Sequence, residues 1–125
     1  MAANKDIVPE FEEGAVENLG VRLQRVGGEN NCLILKLAGT VDSYSADYLR
    51  HGVFRAIDYG FIRLIFDLGD VDHIASMGIG VFIAVQKAVT AKGGDVTLSH
   101  VRPKVMTVLK LMCLDSMFQS AESDT

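Results

Sequence analysis

A single α/β domain is the fold class predicted here, with a mixed β-sheet of about four strands and three to four helices. Three observations predict it. Short apolar runs of strand length alternate with longer stretches of helical periodicity. The first two strand-like runs, at 21–26 and 32–38, follow each other across Gly27-Gly28-Glu29-Asn30 and read as a hairpin. Beyond them a helix separates each strand from the next, which implies parallel pairing in the second half of the chain. At 125 residues, 49% of them hydrophobic, the chain fits one domain with a substantial core.

Each element has a local reason. Residues 1–19 carry Glu10, Glu12, Glu13 and Glu17 with Pro9 and Gly14, and read as a loosely ordered acidic arm outside the core. The domain proper is expected over 20–119, with 120–125 frayed. Residues 21–26 alternate apolar and polar, the pattern of a half-buried strand; 32–38 are more continuously apolar. Residues 39–45 form a loop into a helix, with Ser43 or Ser45 as its N-cap. Leu49, Val53, Ala56 and Ile57 then recur at helical spacing and Gly60 stops the helix. Residues 61–68 are almost wholly apolar, as in a central strand covered on both faces. A loop carrying Asp70, Asp72 and Ser76 leads into a buried helix over about 77–92, ended by Gly93-Gly94. Residues 95–101 form another strand. Pro103 opens a last helix with Val105, Val108, Leu109 and Met112 as its stripe. A short coda follows at 114–118.

Composition narrows the function classes. The net charge of −4 argues against a nucleic-acid surface. No apolar run approaches the roughly 20 residues that span a bilayer, and the first residues lack a signal-peptide pattern. Cys32 and Cys113 stand far apart in apolar surroundings, as buried reduced thiols of a cytoplasmic protein would. His51, His73 and His100 have no metal-ligand spacing, so neither metal nor cofactor is expected. Gly78-Ile79-Gly80 is no dinucleotide fingerprint, because Ile83 stands where the third glycine belongs. Ser76 lacks the Gly-x-Ser-x-Gly setting of a hydrolase nucleophile. Asp67, Asp70 and Asp72 read as a strand end and loop residues, not as an acid/base pair.

The stretch from Asp67 to Phe82 organises the chain. Ser76 is the last residue able to cap the helix that follows. A helix N-terminus gathers unpaired N–H groups and partial positive charge, so a modified serine there would hold its phosphate in a favourable field. Gly78 and Gly80 each cost about 1 kcal/mol against alanine in a helix. Either tight packing on the sheet or a flat surface for another protein's backbone would account for them. Asp42 ends an earlier strand and so emerges on the same rim as Ser76, because carboxyl ends of neighbouring parallel strands share one edge.

Five segments then carry a resemblance: 37–42, 64–68, Val71-Asp72-His73-Ile74-Ala75-Ser76-Met77-Gly78-Ile79-Gly80-Val81, 93–96 and 108–118. In order and spacing they resemble the STAS domain, and more narrowly the stand-alone anti-sigma factor antagonists of bacteria. The resemblance runs from about Val21 to Phe118. It implies a non-enzymatic, cytoplasmic partner-switching protein, a monomer or weak dimer with no membrane or nucleic-acid contact. Ser76 would be phosphorylated by an anti-sigma factor that is also a serine kinase, and a PP2C-type phosphatase would reset it. The implied partner surface comprises Asp42, Ser43, Ala75, Ser76, Met77, Gly78 and Gly80. Two positions depart from the family pattern: Ala75 replaces the usual acid before the serine, and Met77 the usual small polar residue after it. They motivate the alternatives, a scaffold or adaptor subunit of a signalling assembly or a small-ligand sensor, without phosphorylation at Ser76.

Overall fold

The structure is a computed structural model that describes residues 15–16, 19–26, 32–111 and 119–121. Most of the acidic arm, the turn between the first two long strands, the coda, Met112 and Cys113 lie outside the described residues. The elements run β1 (Ala15–Val16), β2 (Leu19–Arg25), β3 (Cys32–Val41), α1 (Ser43–Asp58), β4 (Arg63–Ile74), α2 (Ser76–Thr90), β5 (Asp95–Ser99), α3 (Pro103–Leu111) and β6 (Gln119–Ala121).

The strands form one mixed sheet in sequence order, β1-β2-β3-β4-β5-β6. β1, β2 and β3 pair antiparallel; β3, β4, β5 and β6 pair parallel. Four long strands, β2 to β5, make the body, and the short β1 and β6 lie at its edges. β1 and Leu19 fall within the stretch expected to be arm, and Leu19 is fully buried.

Each parallel crossover steps one strand in the same direction. Right-handed crossovers then bring α1, α2 and α3 to one face of the sheet. Burial follows this asymmetry. Leu19, Val21 and Leu23, Leu33, Leu35 and Leu37, Leu64, Phe66 and Leu68, and Val96 and Leu98 are buried. Between them Arg22, Gln24 and Lys36 are exposed and Ile65 and Asp67 half-buried. The expectation that β4 is covered on both faces is therefore corrected. Its apolar run reflects one helix-covered face and one partly open face. At the centre of the covered face, Phe66 of β4 meets Phe82 of α2 edge-to-face at 4.9 Å between ring centroids.

The helix boundaries combine expected and unexpected chemistry. α1 ends at Tyr59, and Gly60 follows at φ +103°, a conformation that favours glycine. α3 begins at Pro103 as expected. The α1 N-cap, however, is Asp42 and neither serine. Its Oδ1 accepts hydrogen bonds from the Tyr44 and Ser45 N–H groups, both at 3.0 Å. The Asp42 N–H donates back to Ser45 Oγ at 2.9 Å. Ser45 is thus the reciprocal partner of a capping box.

β4 is longer than expected. The acids Asp67, Asp70 and Asp72 lie within this strand and not in a loop. The β3–β4 register shifts twice, between Lys36 and Ala38 and between Gly39 and Thr40. Each shift inserts an extra β4 residue, as a β-bulge does. Polar stabilisation gathers there: Asp67 Oδ1 accepts from the Gly69 N–H at 3.0 Å and faces His100 Nδ1 at 3.2 Å. Arg102 Nε donates to the Gly69 carbonyl at 2.7 Å, and its guanidinium lies 3.3 Å from Asp72. Cys32 is half-buried and unbonded. Burial pushes its thiol above the ordinary value, against the opposing pull of Arg63. No described helix is long and apolar enough to cross a membrane.

Candidate partner surface

The rim is built by the joined ends of β3 and β4. Val41 is the register partner of Ile74, and the Ala75 N–H donates to the Val41 carbonyl at 2.8 Å. That bond sets Asp42 beside Ala75, so α1 and α2 start next to each other. Two helix N-termini therefore share one edge of the molecule; Asp42 caps the first N–H groups of α1, whereas α2 has no side-chain cap. Ser43 is the first residue of α1 and Ser76 the first of α2, and both are exposed.

Ser76 is not the cap. The N-cap of α2 is Ala75, which has no side chain to satisfy the helix. Only Ala75 separates β4 from α2, so the expected serine-bearing loop is reduced to one residue. The Ala75 carbonyl accepts from the Gly78 and Ile79 N–H groups at 2.9 and 3.1 Å. Among the described residues the Ser76 hydroxyl has no hydrogen-bond partner, so helix formation does not consume it. Asp42, by contrast, spends one carboxylate oxygen on capping α1.

The two glycines divide the two explanations between them. A Cβ on Gly78 would lie 2.5 Å from Val41 Cγ1 and 2.9 Å from Ile74 Cγ2. Gly78 is buried and lets α2 sit flush on the ends of β3 and β4. A Cβ on Gly80 would meet nothing within 4 Å, and Gly80 is exposed. It widens a shallow groove of about 260 Å³ between α1 and α2, lined by Ala46, Asp47, Arg50, Met77, Gly80 and Val81.

The first turns of α2 are thus not buried all round. Met77 is 57% exposed, and Tyr44, second residue of α1, is 72% exposed. Two large apolar side chains at equivalent positions of adjoining helices make an unusual surface feature. The place of Tyr44 beside the serine rim becomes visible once β3 and β4 are paired. Among the described residues no group of histidine, cysteine or acidic side chains is arranged to hold a metal ion.

Comparison with known proteins bears on the family and the fold. The STAS domain model matches residues 24–124. BtrV of Bordetella bronchiseptica, named as an anti-sigma factor antagonist, is 33% identical over 91 residues, covering 73% of this chain and 78% of that protein. The anti-sigma-B factor antagonist of Bacillus subtilis is 30% identical over 95 residues, covering 75% of this chain and 86% of its own. The anti-sigma factor antagonist SpoIIAA from Bacillus shares the fold in its unphosphorylated form at TM-score 0.72, with 20% identity and coverage of 84% and 90%. Its phosphorylated form does so at 0.66, with 19% identity and coverage of 84% and 94%. A serine at an exposed helix start, on a mixed sheet of this order, sits in a chain that belongs to the STAS domain family.

Proposed function

We propose that this chain is a cytoplasmic anti-sigma factor antagonist with a regulatory, non-catalytic role. It binds an anti-sigma factor with serine kinase activity through the Ser76 rim, and phosphorylation of Ser76 switches that binding off. A PP2C-type phosphatase restores the unmodified form. The observation that carries this reading is the state of Ser76: exposed, first in α2, and not used as a cap, with exposed Met77 after it and exposed Tyr44 second in the adjoining α1. The relatives named as anti-sigma factor antagonists support the same direction.

The mechanism follows from electrostatics. Unmodified, Ser76 is a small neutral group that a partner can cover along with Met77, Tyr44 and the open groove at Gly80. Phosphorylation adds roughly −1.5 to −2 charges at neutral pH. The α2 N-terminus tolerates that charge, so the fold survives. A partner closed over the hydroxyl would instead bury an unpaired anion, at several kcal/mol. Met77 in place of a small polar residue enlarges the apolar contact, and Ala75 in place of an acid lowers the negative charge the kinase meets.

Gly80→Leu tests whether this surface is the contact. A side chain there has open space, so thermal stability should hold or rise slightly. It would fill the groove a partner approaches, and calorimetric titration with the anti-sigma factor should show affinity reduced about tenfold or more, on the order of 1.4 kcal/mol. Unchanged affinity would remove the groove, and Gly80 with it, from the partner surface.

A further inference from the structure

β4 outruns β5. The last register pair between them is Asp67 with Ser99, yet β4 continues to Ile74. This extension leads directly into Ala75 and Ser76, and among the described strands only β3 pairs with it. Both bulges lie in it. The register steps from Asp67 to Asp70 while β3 advances only from Lys36 to Ala38, so the first extra residue falls at Leu68 or Gly69. It then steps from Val71 to His73 against Gly39 to Thr40, which leaves Asp72 unmatched. Where α2 begins depends on both extra residues keeping their places. A slip of one residue would turn the buried Val71 and Ile74 toward the other face.

One side chain reaches both bulges. Arg102 Nε donates to the Gly69 carbonyl at 2.7 Å, and its Nη1 donates to Asp72 Oδ1 at 3.3 Å. Two separate donors in a planar fork suit a guanidinium, whereas a lysine offers a single point of charge. The turn that delivers Arg102 is itself held. His100 takes φ +55°, a left-handed conformation uncommon outside glycine. Its Nδ1 lies 3.2 Å from Asp67 Oδ1 and 3.3 Å from Ser99 Oγ. Gly69 leaves room beside it, since a Cβ there would stand 3.3 Å from His100 Cβ. A strained residue persists only where its surroundings over-determine it, and such strain gathers at functional places.

We propose that Arg102 is a positioning residue for the Ser76 rim, a role that rests on the binding function proposed above. It pins both bulges of β4 and so fixes where α2 starts and how Ser76 is presented. The turn between β5 and α3, outside the rim, is thereby coupled to it.

Amide hydrogen exchange on the full chain, with calorimetric titration against the anti-sigma factor kinase, tests this in Arg102→Ala and Arg102→Lys. The Arg102–Asp72 pair is exposed, so Arg102→Ala should lower Tm by only a few degrees. Protection of the Ala75 amide, which bonds the Val41 carbonyl, should fall on the order of tenfold. Protection in the β2–β3 ladder should hold. Affinity for the kinase should fall about tenfold with it. Arg102→Lys should recover Tm but neither protection nor affinity, because one ammonium cannot hold both bulges. Unchanged protection at Ala75, or a loss spread evenly over the sheet, would overturn the proposal. Full recovery by lysine, or lost protection with unchanged affinity, would overturn it too. An unsubstituted chain that bound no such kinase would overturn the proposed function instead, and exchange at Ala75 would still decide whether Arg102 pins the rim.

Discussion

Ser76→Glu is expected to weaken binding of the anti-sigma factor by about 100-fold or more, with little change in Tm. The two expectations come from the same geometry. The substitution falls at the first position of α2, on an exposed side chain that makes no hydrogen bond among the described residues. A carboxylate there sits in the favourable field of the helix N-terminus, so the isolated domain loses little or gains a few tenths of a kcal/mol. If the partner covers Ser76 as proposed, the same charge in the complex is enclosed by a surface that fitted a hydroxyl. An unpaired charge left in a closed interface costs about 3–5 kcal/mol, which is roughly two to nearly four orders of magnitude in affinity. Ser76→Ala should bind as the unmodified chain does, because Ala75 and the backbone, not the serine hydroxyl, start the helix. Titration calorimetry on both variants, with thermal unfolding of each alone, separates a binding effect from a folding one.

The second large effect concerns stability. Gly78→Val is expected to cost about 3 kcal/mol, a fall in Tm of roughly 12 °C for a domain of this size. Even the first added carbon would stand 2.5 Å from Val41 Cγ1 and 2.9 Å from Ile74 Cγ2. Both neighbours are buried side chains at the strand ends, with no solvent to retreat into. α2 would have to lift from the sheet, which would disturb the edge-to-face contact of Phe66 with Phe82 one turn further on. Gly80→Ala, two residues away, should raise Tm by a few degrees, because a solvent-exposed helix glycine costs about 1 kcal/mol against alanine. Responses of opposite sign from two glycines so close together would show that Gly78 serves packing and Gly80 the surface. Loss of stability in both would show that α2 is packed on both sides.

Much of this was readable from local chemistry. The hairpin rests on two adjacent strand-like runs and the parallel second half on strand–helix alternation, while the stop at Gly60 and the start at Pro103 each rest on a residue whose backbone preference decides its position. The end of β4 was not readable. Gly69 and three aspartates between residues 67 and 72 are poor strand formers, so the segment looks like a loop. Pairing with β3 overrides that preference, and two bulges absorb the misfit. The same override misplaced the cap. Serine is a far better N-cap than alanine, yet the bond from the Ala75 N–H to the Val41 carbonyl fixes where α2 begins.

At Asp42, aspartate and serine are nearly equivalent caps, and only geometry shows that Asp42 and Ser45 act as a pair. Expecting a strand covered on both faces failed for a related reason. An apolar run records hydrophobicity, not which side the helices occupy, and that depends on strand order. Ser76, Met77 and Gly80 were legible as a cluster because they are close in sequence. Tyr44 and the groove wall at Ala46, Asp47 and Arg50 were not, since 30 or so positions separate them from α2 until the sheet forms.

Whether Ser76 is the proposed switch is decided by intact-mass and peptide mass spectrometry after incubation with ATP and the cognate anti-sigma factor kinase, with Ser76→Ala alongside. The expected result is one added phosphate, located on Ser76 and absent from the variant. A phosphate on Ser43 or Tyr44, or none despite demonstrated binding of the kinase, would contradict it and leave the rim as a binding surface without a switch at Ser76.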